Sequence, residues 1–293
     1  MNRPVELSSS REITPAHREY PALLREIPDP PLRLYGAGRS LEPGPVLAIV
    51  GTRKASPYGL EVGEWLAAEL ALLGITVVSG LAHGIDASAH RGALSAGGTT
   101  IAVLGSGLDV CYPTRNRELY RQILSVGTLV SEHPPGTKPL PHHFPIRNRI
   151  IAGMSLGVVI VEGKLGGGAM ITARLAMEYG REVFAVPGPV HSAGSRGPHL
   201  LVRDGARLVT SPEDILEDLG LPASGSRNQN ASELRPDERR VMEQLEAEPM
   251  LLDSIAHRAR MPPSTVAAVL VGLEMKGQAS RLPGGRFARS VAI

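Results

Sequence analysis

Residues 46–107 read VLAIVGTRKASPYGLEVGEWLAAELALLGITVVSGLAHGIDASAHRGALSAGGTTIAVLGSG and contain the pattern that decides the fold. Short apolar runs at 46–50, 75–78 and 99–104 alternate with longer segments whose apolar residues recur at helical spacing. Each run is continuous rather than interleaved with polar residues, which is typical of strands covered on both faces. Alternating strands and helices predict an α/β fold with a doubly wound, mainly parallel sheet.

The same alternation continues through residue 209. The remaining predicted strands are 128–130, 156–161, 182–186 and 207–209. The predicted helices are 57–73, 85–96, 114–125, 145–155 and 169–179. Because helices separate most of the apolar runs, we expect neighbouring strands to run parallel.

The chain divides into a large domain and a small one. We expect the polar residues 1–18 to form a flexible tail and the large domain to span 19–219, with its proline-rich start wrapping over the sheet. Residues 220–236 (GLPASGSRNQNASELRP) have no apolar period and are predicted to be a linker. Residues 237–293 then form a winged-helix domain. Its predicted elements are helices at 237–247, 251–260 and 263–276 and a hairpin around 283–285.

Composition excludes several classes of protein. The 293 residues carry a net charge of only +2, so any nucleic-acid site has to be a local patch. The three Phe, one Trp and six Tyr are few for a protein that stacks many bases. Cys111 is the only cysteine, which excludes an internal disulfide and a thiolate zinc cluster. No apolar run reaches the roughly 18 residues of a membrane span, and no secretion signal is present, so we expect a cytoplasmic protein.

Small residues follow four of the predicted strands. The turns are Gly51-Thr52-Arg53-Lys54, Ser79-Gly80-Leu81-Ala82, Gly105-Ser106-Gly107 and the run from Glu162 to Gly168. In a doubly wound sheet such turns meet at one edge, where bare backbone N–H groups and helix N-termini favour phosphate. Neither the dinucleotide fingerprint nor a Gly-Lys-Ser/Thr loop is present, so no cofactor and no P-loop hydrolysis is predicted.

The stretch 133–177 concentrates positive charge. It holds five cations, Lys138, Arg147, Arg149, Lys164 and Arg174, against one acid, Glu162. If the motif FPIRNR at 144–149 is extended, its two arginines point to one side; on a helix they diverge by about 200°. Arginine binds phosphate bidentately, and the neighbouring Phe144 can stack on a base. The alternative is that both arginines pair with acids such as Glu132 and that Phe144 belongs to the core.

Catalytic and metal-binding patterns are weak. His83, Asp86 and His90 are the best metal candidates, since Asp86 and His90 lie four apart on one helix face. No third ligand is evident near that pair, and Asp86 equally suits a helix start. Cys111 and the serines at the strand ends lack the surroundings of an activated nucleophile. We therefore predict no metal site, no catalytic residue and no enzyme.

Several ordered motifs resemble the DNA-processing protein A (DprA/Smf) family. They are Ile49–Arg53, Ser79–Asp86, Phe144–Arg149, Ile171–Ala173 and Gly180–Gly188. The resemblance covers about residues 19–219, and the winged helix extends it to the C-terminus. It implies an extended Rossmann-like domain and a non-enzymatic, sequence-independent role in natural transformation. Members protect incoming single-stranded DNA and load a RecA-type recombinase onto it, helping to displace single-strand-binding protein, and they act as homodimers.

The resemblance also implies a set of site residues. Arg53, Arg147 and Arg149 would hold phosphate, and Phe144 would stack on a base. Ser79, Gly80 and Asp86 would shape the pocket, with Lys138 in the adjoining basic stretch. The remaining predicted contacts are Gly51, Lys54, Asn148, Lys164, Gly167, Gly168 and Thr172. Family members often have Ser-Gly-Ser where this chain has Gly167-Gly168-Ala169, so backbone amides take the place of two hydroxyls here.

Two other functions remain open on the sequence. A nucleotide-binding phosphoribohydrolase of the lysine-decarboxylase-like Rossmann group would need the motif Pro-Gly-Gly-x-Gly-Thr-x-x-Glu. Gly166-Gly167-Gly168 echoes it faintly, but no Glu follows Thr172 at the required place. A transcription regulator would need a DNA-reading third helix. The charges at 264–276 are only Glu274 and Lys276, which favours protein contact over duplex contact.

Overall fold

The computed structural model describes residues 10–42, 44–222, 236–245, 249–275, 279–282 and 286–289. The chain divides into two compact units, Met1–Arg227 and Asn228–Ile293. Within the described ranges, no helix is both long and apolar enough to cross a membrane.

In the described part of the first unit, nine strands form one sheet. The strands are β1 Ser10–Ile13, β2 Leu34–Gly38, β3 Val46–Val50, β4 Thr76–Ser79, β5 Thr100–Leu104, β6 Thr128–Ser131, β7 Gly157–Ile160, β8 Glu182–Ala185 and β9 Arg207–Leu208. Their order is β1-β2-β6-β5-β4-β3-β7-β8-β9. The pairs from β6 to β9 are parallel, and only β1–β2 and β2–β6 are antiparallel. The doubly wound, mainly parallel sheet predicted from the sequence is confirmed.

The strand order contains a topological switch point. From β3 the chain adds β4 and β5 on one side, and later adds β7 and β8 on the other side. The loops that leave β3 and β7 therefore diverge and open a crevice beyond the carboxyl ends of these two strands. Ligands in folds of this kind bind in that crevice.

Helices cover both faces of the sheet. Those described in this unit are α1 Ala22–Arg25, α2 Pro57–Leu72, α3 Ile85–Ser95, α4 Arg117–Val126, α5 His143–Gly153, α6 Gly168–Glu178, α7 Arg196–Arg203 and α8 Pro212–Asp218. In β3, Leu47 and Ile49 pack among residues of α2 and α3, whereas Ala48 and Val50 pack among residues of α5 and α6. This two-sided burial is the reason that the strand sequences are continuously apolar.

The N-terminal residues extend the sheet instead of forming a tail. β1 pairs with β2, and its Ile13 is fully buried. Arg11 Nε lies 2.8 Å from Glu19 Oε2, which also accepts a hydrogen bond from Leu41 N at 3.1 Å. The prediction of a flexible tail over 1–18 is therefore wrong for residues 10–18, and residues 1–9 lie outside the described part. One buried apolar residue in the β1 sequence SREI gave too weak a strand signal.

The second unit is a small α/β module. Its described elements are α9 Pro236–Met242, β10 Met250–Leu251, α10 Leu252–Ala259, α11 Pro263–Met275, β11 Ala279–Leu282 and β12 Arg286–Arg289. The strands form an antiparallel sheet in the order β10-β12-β11. Val266, Leu270 and Leu273 of α11 lie in the core of this unit. The three predicted helices and the two predicted strands are confirmed, although α9 ends at Met242 rather than near residue 247, and the predicted turn at 283–285 lies outside the described part. Residues 223–235 of the predicted linker lie outside the described part.

Candidate functional site

A cleft of about 560 Å³ lies at the switch point of the sheet. It is bordered by the turn after β3, the turn after β7 and the first turns of α5 and α6. The lining residues that carry functional groups are Thr52, Arg53, Asp86, Tyr112, Phe144, Arg147, Asn148, Lys164 and Thr172. The topology therefore brings together turns that are more than 100 residues apart in the sequence.

Arg147 is the most deeply placed cation of the cleft. Its side chain is only 4% exposed, and Nη1 donates a hydrogen bond to Val103 O at 3.0 Å. The guanidinium passes over Gly80, where a Cβ atom would lie 1.6 Å from Nη1, so only glycine fits there. Nε has no hydrogen-bond partner among the described residues. Burial lowers the pKa of Arg147 to about 10, and the group stays protonated at neutral pH.

Asp86 is the buried acid that accompanies this cation. It stands in the first turn of α3, and its Oδ2 accepts hydrogen bonds from Gly80 N at 3.2 Å and Ala82 N at 3.4 Å. Burial raises the pKa of Asp86, while the nearby charge of Arg147 acts in the opposite direction. Asp86 therefore shapes the turn after β4 and offsets part of the buried positive charge.

Ser79 plays a structural part in the same turn. Its side chain is fully buried, and Oγ donates to Ile49 O at 2.6 Å. The hydroxyl joins the ends of β3 and β4 and does not line the cleft. The structure thus accounts for this serine without a ligand.

A single glutamate holds the Arg53 loop at both ends. Glu162 O accepts from Thr52 N at 2.7 Å, and the Glu162 carboxylate accepts from Ser56 N at 2.9 Å and Ser56 Oγ at 2.6 Å. Glu162 is 4% exposed and follows β7, across the switch point from the loop that it holds. Arg53 lies exposed between the two attachment points. Sequence reasoning counted Glu162 only as a lone acid in a basic stretch and missed this positioning role.

Two rings and a guanidinium meet at the mouth of the cleft. Arg53 Cζ lies 5.3 Å from the centre of the Phe144 ring, a cation–π distance. The ring of Tyr112 lies 5.5 Å from that of Phe144, tilted by 39°. Phe144 is therefore a residue of the cleft wall, as predicted. Tyr112 was not predicted, although it follows the glycine-rich turn after β5 and so lies at the same edge of the sheet.

The amino end of α6 forms the opposite wall. Gly167 is the N-cap, and no side chain caps the helix. Asn148 Nδ2 donates to Gly168 O at 3.3 Å, which connects α5 to this wall. Lys164 lies exposed in the preceding turn, and Thr172 is buried one turn into the helix. Free N–H groups at a helix N-terminus, with a lysine beside them, suit an anion.

Comparison with known families decides which group of proteins this architecture belongs to. The model of DNA recombination-mediator protein A matches residues 11–220, and the DprA winged-helix model matches residues 225–285. The chain belongs to the DNA recombination-mediator protein A (DprA/Smf) family. The resemblance seen in the sequence motifs is confirmed.

Similar proteins come from several bacteria. Protein Smf of Escherichia coli K12 is 45% identical over 249 residues, which are 82% of this chain and 66% of that protein, just under two thirds of its length. The crystal structure of DprA from Streptococcus pneumoniae is 43% identical with a TM-score of 0.69, and covers 73% of this chain and 75% of that one. DprA from Helicobacter pylori, whose structure was described for its single-stranded DNA binding mode, is 31% identical with a TM-score of 0.65, and covers 72% and 95%.

Ten of the fifteen site residues predicted for this DprA/Smf member line the cleft. They are Gly51, Arg53, Asp86, Phe144, Arg147, Asn148, Lys164, Gly167, Gly168 and Thr172. Of the other five, Gly80 borders a smaller cavity beside the cleft, and Lys54 and Lys138 are exposed outside both cavities. Ser79 and Arg149 have internal partners.

Arg149 is the predicted residue that the structure places differently. The segment is helical, so the extended alternative, with both arginines on one side, is wrong. Arg149 Nη2 donates to Glu132 Oε1 at 2.6 Å, and Nε lies 3.4 Å from Asp29 Oδ2. The side chain is 11% exposed and does not line the cleft. The pairing with Glu132 is the alternative that the sequence had left open.

The candidate metal ligands serve other purposes in this DprA/Smf chain. Among the described residues, no three His, Cys, Asp or Glu side chains are grouped so that they could hold a metal ion. Asp86 binds backbone amides, and His90 Nδ1 lies 2.7 Å from Thr100 Oγ1 in the core. The geometry therefore provides a binding cleft made of cations, rings and backbone amides.

Proposed function

We propose that this chain binds single-stranded DNA in the switch-point cleft of its first unit. The observation that carries the proposal is the buried Arg147, a guanidinium that lines the cleft and makes no ion pair with an acid among the described residues. Arg53 and Lys164 flank it at the cleft walls. A phosphate oxygen satisfies such a donor, and a chain of phosphates engages several cations at once. The binding mode described for the Helicobacter pylori relative supports the same ligand class.

The proposed mode of binding is independent of sequence. The cations that line the cleft are two guanidinium groups and one ammonium group, and these groups suit the DNA backbone. Phe144 offers its ring to a base of any type, because every base has a π face. Affinity should then fall steeply with salt, as counterions are released from the DNA.

We propose a binding role and not a catalytic one. Among the described residues that line the cleft, Asp86 is the only carboxylate, and it is engaged with two backbone amides. A phosphoribohydrolase would need a carboxylate free to act on the sugar–base bond.

Family membership supports a proposal about the wider role. We propose that the protein protects incoming single-stranded DNA during natural transformation and loads a RecA-type recombinase onto it. Single-strand-binding protein is the expected competitor for the DNA. We further propose that the chain acts as a homodimer in the cytoplasm. The test of the loading role is whether the protein accelerates recombinase filament formation on DNA coated with single-strand-binding protein.

The test of the binding site compares two exposed arginines. Affinity for labelled oligo-dT and for duplex DNA of the same length is measured against salt for the full chain, Arg53→Ala and Arg91→Ala. Arg91 is a matched control, because it pairs with Glu64 and does not line the cleft. Arg53→Ala should bind oligo-dT about tenfold more weakly, and its salt slope should fall by about 0.7 for each phosphate that the variant no longer neutralises.

Three outcomes separate the site from the function. Arg91→Ala should bind like the wild type. Unchanged binding by Arg53→Ala would show that the assigned cleft is wrong. Tighter binding of the wild type to duplex than to oligo-dT would overturn the proposed ligand.

A further inference from the structure

A second, smaller cavity of about 70 Å³ lies beside the cleft. Five of its lining residues also line the cleft, namely Arg53, Ala82, Tyr112, Phe144 and Arg147. Gly80, His83 and Pro113 complete it. The two cavities therefore share one wall of rings and guanidiniums, and a ligand that fills the cleft can continue into the smaller space.

The two rings of the shared wall differ in what covers them. Phe144 is half-buried, with the Arg53 guanidinium above its ring at 5.3 Å. Gly105 packs so closely against it that a Cβ there would lie 3.0 Å from Cδ1 of Phe144. Tyr112 is 44% exposed, and its contact with Phe144 is a tilted ring contact. Tyr112 thus offers the more open aromatic surface at the mouth of the site.

The cations of the shared wall suit a phosphate between two nucleotides. Arg147 is 4% exposed and lines both cavities, and it makes no ion pair with an acid among the described residues. Arg53 lines both cavities as well. A phosphate held by these two groups would have one nucleotide in the cleft and the next beside Tyr112.

We propose that Tyr112 and the smaller cavity form a second nucleotide subsite, in which a base stacks on the Tyr112 ring while Arg53 and Arg147 hold the phosphate that links it to the nucleotide in the cleft. This inference rests on the proposed single-stranded DNA binding. It assigns base contact to a residue outside the motif at 144–149. It also means that the site engages two successive nucleotides.

The experiment separates base contact from backbone contact. Affinity of the full chain is measured for oligo-dT and for an oligonucleotide of equal length with an abasic site at every position. The variants are Tyr112→Ala, Tyr112→Phe, Arg53→Ala and Tyr58→Ala. Tyr58 is a matched control, because it is 43% exposed and lines neither cavity. The melting temperature of each variant is measured first.

The expected pattern differs between the two oligonucleotides. Tyr112→Ala should bind oligo-dT about tenfold more weakly, the size of effect known for one stacked base, and should bind the abasic strand like the wild type. Tyr112→Phe, which keeps the ring, should stay within about twofold of the wild type on both strands. Arg53→Ala should weaken binding to both strands, and Tyr58→Ala to neither.

Each other result has a defined meaning. The subsite is refuted if Tyr112→Ala binds oligo-dT like the wild type, or if its affinity for the abasic strand falls by the same factor. Weaker binding by Tyr112→Phe as well would point to the hydroxyl and overturn stacking. If the wild type binds neither strand, the proposed function fails, whereas weaker binding confined to Arg53→Ala leaves that function intact and removes only the second subsite.

Discussion

Arg147 and Arg149 lie two residues apart on α5 and meet opposite environments. Arg147 lies in the cleft beneath the turn after β4, donates to Val103 O and makes no ion pair with any described residue. Arg149 is held by Glu132 and Asp29 on the outer side of the helix. Residues two positions apart on a helix point in directions that differ by about 200°, so these two arginines reach different regions. The contrast teaches that a cation is available to a ligand when no acid of the protein pairs with it.

Arginines also hold the N-terminal segment of the first unit in place. Arg11 pairs with Glu19, and Arg181 donates to Leu23 O and pairs with Glu26. Arg149 adds the contact with Asp29. All of these partners belong to residues 19–29, whose Leu24 and Ile27 pack in one core cluster with Ile150 of α5. These arginines therefore stabilise the fold through ion pairs, whereas Arg53, Arg147 and Lys164 of the cleft make no ion pair with the described residues.

The largest expected effect comes from removing the cleft arginine. Arg147→Ala should reduce affinity for oligo-dT by at least about 100-fold, since it removes a charged donor from the centre of the site. It should also lower the free energy of unfolding by about 1.5–3 kcal/mol, because Val103 O loses a charged hydrogen-bond donor and the buried Asp86 loses a nearby cation. Oligo-dT binding and urea denaturation measure the two effects.

A double variant separates stability from binding. In Asp86→Asn/Arg147→Ala the buried negative charge is also gone, so part of the stability should return while binding stays weak. If Arg147→Ala bound oligo-dT with wild-type affinity, the proposed difference between Arg147 and Arg149 would be wrong.

Acid should lower the folding stability of the first unit through His90. His90 is fully buried one turn after Asp86 on α3. Thr100 Oγ1 donates to Val77 O and so accepts from His90 Nδ1, which leaves Nε2 unprotonated and without a partner among the described residues. Burial lowers the pKa of His90 to about 3, and the charges of Arg147 and Arg91 add to the shift.

The sign of the pH dependence follows from that shift. Below about pH 6.5 the unfolded chain binds a proton at this histidine that the folded chain refuses until about pH 3. Stability is therefore fully present above pH 6.5 and falls as the pH drops, by about 1 kcal/mol between pH 7.5 and 5.5. His90→Gln should remove this part of the pH dependence of the free energy of unfolding, measured by urea denaturation. Asp86 is present in both proteins, so its contribution cancels in the comparison. Identical slopes would show that His90 is not held neutral.

Much of the fold could be predicted, because buried parallel strands leave continuous apolar runs. The strands β3 to β9 and the helices α2 to α6 lie where the pattern placed them. β1 could not be predicted in this way, because its sequence SREI buries only Ile13 fully and its pairing with β2 depends on residues more than 20 positions away. A strand at the antiparallel edge of a sheet carries no such run.

The site was predictable only as far as topology determines it. The turns after β3, β4, β5 and β7 had to meet at one edge, so Arg53 and the glycines at 167–168 were found. The difference between Arg147 and Arg149 depends on the acids opposite each side chain, and Asp29 and Glu132 are distant in the sequence. Tyr112 was missed because its neighbour Phe144 belongs to α5, which is distant from it in the sequence.

The smallest expected effect comes from the outer arginine. Arg149→Ala removes a partly buried ion pair at 2.6 Å with Glu132, so the free energy of unfolding should fall by about 1 kcal/mol. A double-mutant cycle with Glu132→Ala should show that most of this loss is the interaction energy between Arg149 and Glu132. Affinity for oligo-dT and its salt slope should equal those of the wild type, because the side chain does not line the cleft. If Arg149→Ala instead lowered the salt slope as much as Arg53→Ala, Arg149 would be a phosphate ligand despite its ion pairs with Glu132 and Asp29. Pairing with an acid of the protein would then not distinguish Arg149 from Arg147.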